Sequence, residues 1–121
     1  MIVAGFGFRE GATLASFAAA LAGAQGGCPP VTLLAAPKDK AAALKPLAVS
    51  LDLDLATISR DRLRGMDTPT VSPASLKAYG VGSVAEAAAL AAAGPGAILL
   101  CARFISPDRM ATCAIATGTA T

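Results

Sequence analysis

Histidine is missing altogether from this chain. Its absence removes the commonest side-chain metal ligand and the commonest general base, so any acid–base chemistry falls to Glu, Asp, Lys, Arg, Ser or Tyr. Tryptophan is also absent, tyrosine occurs once, and aromatic residues make up only 4% of the chain. That leaves too little stacking surface for a nucleic-acid platform. The formal net charge of +2, from ten basic and eight acidic residues, is too mild for a nucleic-acid footprint. Three cysteines, Cys28, Cys101 and Cys113, form no C-x-x-C pair and are odd in number, which points to reduced thiols rather than a disulfide framework. Long apolar runs are lacking too: the stretch 87–102 is interrupted by Gly94-Pro95-Gly96, well short of the roughly 20 residues that a bilayer span needs. No basic residue precedes the apolar start of the chain, and Arg9-Glu10 interrupts it, so it does not read as a secretory signal. A soluble, cytoplasmic protein is expected, with no nucleic-acid or membrane partner.

What is present is alanine. Hydrophobic residues are 55% of the 121, and Ala carries much of that count, so a thin core with helices lying close to a sheet is expected in a single domain, 1–121. The chain is organised around Gly5-Phe6-Gly7-Phe8-Arg9-Glu10-Gly11. It reads as a strand end, a glycine turn and the mouth of a helix, where φ > 0 and close backbone approach suit an anion. Arg9 adds a planar cationic fork. The dinucleotide fingerprint G-x-G-x-x-G does not fit, because residue 10 is Glu and no acidic residue stands about 20 positions on. A plain tight strand-to-helix turn is the structural alternative.

In chain order, residues 2–6 read as a buried strand and 13–24 as a helix with Leu14, Phe17 and Leu21 on one stripe. Gly26-Gly27 and Pro29-Pro30 stop it. A second strand, 31–36, leads to Pro37-Lys38-Asp39-Lys40 at its end, which is either a ligand edge or a solvated turn. Residues 41–50 are helical by composition, with Pro46 imposing a kink or a late start. A third strand (53–58) precedes a short polar helix at 59–65, whose three arginines read as a solvated face. Ser72-Pro73 reads as cap and first turn of a helix closed by Gly80. Ser83-Val84-Ala85-Glu86 reads as a capping box opening an Ala-rich helix that stops at Gly94. Strands at 97–101 and 110–116 are joined by too short a connection to be parallel neighbours, and residues 117–121 read as a frayed tail. The expected fold is a three-layer α/β/α domain with a mixed, mostly parallel sheet of about five strands and an antiparallel last strand.

Two stretches carry a resemblance. Gly5-Phe6-Gly7-Phe8-Arg9-Glu10-Gly11 resembles the opening G-x-G-x-R-x-G of the cobalamin-biosynthesis CobE/CbiG C-terminal domain family. Gly80-Val81-Gly82-Ser83-Val84-Ala85-Glu86-Ala87-Ala88-Ala89-Leu90 is similar to its second signature, G-V-x-S-V-A-E-A-A-A-L. A strand-end lysine (Lys38), Ser72-Pro73 and a final Ala114-Ile115-Ala116 strand follow the same order. Family members often carry Lys where this chain has Arg103, which keeps the charge but not a titratable amine.

The resemblance implies a precorrin-type tetrapyrrole ligand, ringed with carboxylates, held by Gly5, Phe6, Gly7, Arg9, Gly11, Lys38, Ser72, Ser83 and Glu86, with no cofactor and no metal. Three functions follow from it: a binding or carrier protein; a hydrolase-like enzyme of the pathway, opening a lactone and releasing acetaldehyde, with Glu86 or Lys38 as acid or base; or a module docking on other cobalamin-pathway enzymes.

Overall fold

Val3 and Ala4 are neighbours in sequence and bury into different cores. Val3 packs with Val84 and Ala88, whereas Ala4 packs with Phe17 and Ala20. This period-two alternation is that of a strand covered on both faces. The structure is a computed structural model and describes residues 1–118. Five strands, β1 (Ile2–Phe8), β2 (Leu33–Pro37), β3 (Asp54–Ile58), β4 (Ile98–Ile105) and β5 (Ala111–Thr117), form one sheet in the order β3-β2-β1-β5-β4. β1, β2 and β3 are parallel, while β5 runs antiparallel to both β1 and β4. β4 therefore points the same way as the first three strands, and their carboxyl ends share one edge.

Helices α1 (Leu14–Gln25) and α2 (Lys45–Leu51) cover one face; α3 (Arg60–Arg64), α4 (Pro73–Tyr79) and α5 (Val84–Ala93) lie on the other. The architecture is the three-layer α/β/α expected from the sequence. Pro46 lies in the first turn of α2, behind a 3₁₀ turn at Ala41–Leu44, so the helix starts late at a place where the missing N–H has no intrahelical role. Ser59, Ser72 and Ser83 each cap a helix, as their positions in the sequence suggested. Among the described residues no helix is long and apolar enough to cross a membrane.

Two expectations are corrected. The buried face of α1 is Ser16, Phe17, Ala20 and Ala24, and Leu14 is exposed. Ser16 takes the inner position because its hydroxyl closes a capping box with Thr13 and donates to Asp108 at 2.6 Å. β4 continues to Ile105 rather than ending at Cys101, because bulges at Leu99/Cys101 and Cys101/Phe104 shift its register against β5 without ending the pairing. Of the expected frayed tail, Thr117 closes β5 and the Gly118 N–H donates to the Met1 carbonyl at 3.3 Å, while residues 119–121 lie outside the described residues.

Candidate binding cleft

The G-x-G of the first motif is not a turn. Gly5 and Gly7 lie inside β1 in extended conformation, and only Gly11 of that motif uses a positive φ, of 91°. A Cβ on Gly5 would collide with the Ala85 carbonyl oxygen and the Ala89 nitrogen; one on Gly7 would lie 3.3 Å from the Val84 Cβ and 3.0 Å from the Thr112 hydroxyl. The two glycines are thus the seat of α5. Small residues on both sides, with Ala85, Ala88 and Ala89 fully buried, bring the helix backbone down onto the strand. The first turn of α5 is thereby placed over the carboxyl edge of the sheet.

At that edge lies a cleft of about 370 Å³. Its walls are the end of β1 with Arg9, the turn after β2 with Lys40, the helix α4, the start of α5, the end of β4 with Arg103, and the β4–β5 hairpin with Arg109. Among the described residues, four cations therefore line it and no Asp or Glu does. Among the described residues the ion pairs are Arg60–Asp39 at 3.1 Å and Arg64–Asp61 at 3.7 Å, neither involving a cleft cation. The Lys40 ammonium donates to the Phe8 carbonyl at 2.9 Å and lies 5.3 Å from the Phe8 ring centre, which fixes its position. The Arg9 N–H donates to the Met110 carbonyl at 2.9 Å, tying the loop after β1 to the hairpin. Such a site attracts anions, and carboxylates in particular through the arginine forks.

The wall formed by α4 is held at its ends rather than by its packing, since Tyr79 is its only buried residue. At the C-terminal end Arg60 donates to the Ala78 carbonyl at 2.7 Å and stacks 4.4 Å from the Tyr79 ring centre. The Tyr79 hydroxyl donates to Asp39 at 3.2 Å. Burial, reinforced by the Asp39 charge, pushes this phenol up to about 12. Hence Arg60 is a structural clamp rather than part of a solvated face. Arg62 is engaged as well, donating to the Ala91 carbonyl at 2.6 Å.

Of the residues singled out in the sequence, the structure brings Gly7, Arg9, Ser72 and Ser83 to the cleft. Phe6 does not line the cleft but is buried in the core under α1, edge-to-face with Phe17 at 6.3 Å. Gly5 lies under α5, and Gly11 shapes the exposed loop behind Arg9. Lys38 is exposed and does not line the cleft; its backbone N–H donates to the Ile58 carbonyl. Glu86 is fully buried and does not line the cleft either. Only half of the expected capping box forms: Ser83 Oγ accepts from the Glu86 N–H at 3.2 Å. The Glu86 carboxylate turns away from the Ser83 N–H and accepts from the Thr70 N–H (2.9 Å), the Thr70 hydroxyl (2.6 Å) and the Arg103 N–H (2.9 Å). Sequence reasoning flagged the turn 37–40 as a possible ligand edge but chose Lys38 from it rather than Lys40, and it missed Arg109. The available signal was a cation in each connection at the same sheet edge.

Cys28, Cys101 and Cys113 are free thiols, and burial raises the pKa of Cys101 and of Cys113. Among the described residues no group of three or more Cys, Asp or Glu side chains is placed to hold a metal ion.

Fold and cleft together define an α/β domain of the open-sheet kind, with an anion-accepting cleft at the carboxyl ends of its strands. The chain belongs to the family described as "Cobalamin synthesis G C-terminus", whose model matches residues 2–116. It is similar to CobE, a protein from the cobalamin (vitamin B12) biosynthetic pathway, whose crystal structure is 30% identical over 96% of this chain and 89% of that one, with a TM-score of 0.85. It is similar also to the cobalamin biosynthesis protein chiG from Agrobacterium tumefaciens, 34% identical over 98% of this chain and 99% of that one, with a TM-score of 0.75. A cobalamin biosynthesis protein G homolog from Sulfolobus solfataricus shares the fold, at 18% identity over 96% of this chain and 36% of that one and a TM-score of 0.72. No curated protein sequence matches the chain. The protein is therefore a cobalamin-biosynthesis protein of the CobE/CbiG type.

Proposed function

We propose that the cleft binds a precorrin-type tetrapyrrole by the carboxylates on its rim, and that the domain holds or carries this intermediate. The observation that carries the reading is the gathering of Arg9, Lys40, Arg103 and Arg109 around a cleft with no acidic residue, in a chain whose net charge is only +2. A charge-assisted hydrogen bond contributes about 1.5–3 kcal/mol. Three or four of them reach the roughly 8 kcal/mol of micromolar binding. The volume lies near the lower end of the ligand-pocket range of about 300–1,000 Å³, which suits a carboxylate-bearing rim rather than a whole macrocycle. Holding is favoured over turnover because, among the described residues, no carboxylate lines the cleft as a general base, and neither Glu86 nor Lys38 lines it. The three free thiols support placing this role in the reducing cytoplasm.

Incubating the protein with precorrin intermediates and following their absorption bands tests the proposal. A band that shifts with one-to-one stoichiometry and persists unconverted is the expected result. Bands unaffected by excess protein would overturn the binding, and conversion to a new chromophore would overturn the carrier role.

A further inference from the structure

We propose that Glu86 is a positioning residue that sets the two walls of the cleft, hanging α4 through Thr70 and aiming Arg103 through its backbone; this rests on the reading of the cleft as the ligand site. Thr70 stands two residues before Ser72, the cap of α4, on one wall, and the Arg103 side chain belongs to the other. The carboxylate of Glu86 bonds both.

The sequence arranges for this twice. In β4, Cys101 pairs with Ile115 and Phe104 with Cys113, so two residues, Ala102 and Arg103, stand opposite one of β5. Such a bulge redirects a side chain and leaves a backbone group outside the ladder; here the Arg103 N–H is taken up by Glu86. On the other side, a Cβ at Gly82 would lie 2.6 Å from the Thr70 carbonyl oxygen and 2.7 Å from the Thr68 hydroxyl. The bare glycine lets the loop 68–70 approach the start of α5, and the Ser72 N–H closes it on the Gly82 carbonyl at 2.7 Å. Because α4 buries only Tyr79, these end ties decide where it sits.

All three partners of the carboxylate are used as donors, so the site needs an acceptor on both oxygens. Glutamine has the shape but turns an N–H₂ toward a donor, leaving at least one buried group unpaired. A residue that only completed a capping box would tolerate that change.

The test compares the wild type with Glu86→Gln, Arg103→Gln and the double variant, using an octacarboxylate porphyrin as probe and amide hydrogen exchange without ligand. We expect faster exchange over 70–79 and at Arg103 in Glu86→Gln, with α5 protected as before. We also expect about tenfold weaker porphyrin binding, and a smaller loss from Glu86→Gln when Arg103 is already Gln. Should Glu86→Gln fail to fold, Thr70→Val removes a single donor, and weaker binding with faster exchange over 70–79 is expected of it too. Unchanged exchange at these sites, or losses that simply multiply in the double variant, would overturn the role of Glu86. Equal binding by the wild type and Glu86→Gln would overturn this role alone, whereas no binding by the wild type would overturn the cleft reading and this inference with it.

Discussion

Gly5 of β1 lies directly beneath Ala89 of α5, so close that a methyl group on the glycine would fall on the Ala89 nitrogen. The two family signatures, far apart in the chain, are therefore the two sides of one interface. Gly5 and Gly7 of the first are bare because the helix of the second sits on them. That contact lowers the first turn of α5, with Ser83 and Val84, into the wall of the cationic cleft.

Gly5→Ala should accordingly destabilise the fold by about 3 kcal/mol or more, since the obstructing atoms are helix backbone and cannot rotate aside. Gly27→Ala, with nothing within 4 Å of the added carbon, should stay within about 1 kcal/mol of the wild type. Denaturant unfolding of both variants checks this, and equal midpoints would contradict the close contact.

Asp108 gives a pH signature. The Ser106 hydroxyl first, then the Ser16 hydroxyl and the Met110 N–H, hold its carboxyl below the usual carboxylate range. A folded-state value below the unfolded one, which is about 3.9, gives stability that is present above that pH and lost as pH falls through the lower folded value. Asp108→Asn should thus be less stable than the wild type at pH 7, with the gap narrowing below about pH 4. A gap constant across the whole range would show that the hydrogen bonds do not depend on the charge.

Cations inside and outside the cleft should differ. Arg9→Gln removes a fork that makes no ion pair among the described residues, and about tenfold weaker binding of a polycarboxylate porphyrin is expected. Arg64→Gln, on an exposed residue already paired with Asp61, should change binding by less than about twofold. Titrations at matched ionic strength decide, and equal losses would place the ligand elsewhere.

Local signals in the sequence were legible and held. Ser72-Pro73, Gly80, Ser83 and Gly94 mark helix ends because a cap is satisfied within three or four residues. The layered α/β architecture and the antiparallel last strand followed from chain order and connection length. What escaped reading depends on partners distant in the chain. Glycine at residues 5 and 7 signals the absence of a side chain, and a positive φ or a helix overhead requires it equally. The S-x-x-E pattern at Ser83 shows that Glu86 can reach back, but not that Thr70 and Arg103 hold it elsewhere. Leu14 looked like core because it is large, yet this sheet is approached by small residues, and α1 buries Ser16 and Ala20 instead. Lys38 and Lys40 flank one aspartate in the same turn, and only the contact with Phe8 selects Lys40 for the cleft.

The central claim is that the cleft recognises carboxylates through its gathered cations. Calorimetry of an octacarboxylate porphyrin and of its neutral amide, each at low and at high salt, tests it most directly. The account predicts micromolar binding of the acid, weakened at least about tenfold between 0.05 M and 0.5 M salt as screening rises, and no measurable binding of the amide. Equal affinity for acid and amide, or binding of the acid indifferent to salt, would contradict it.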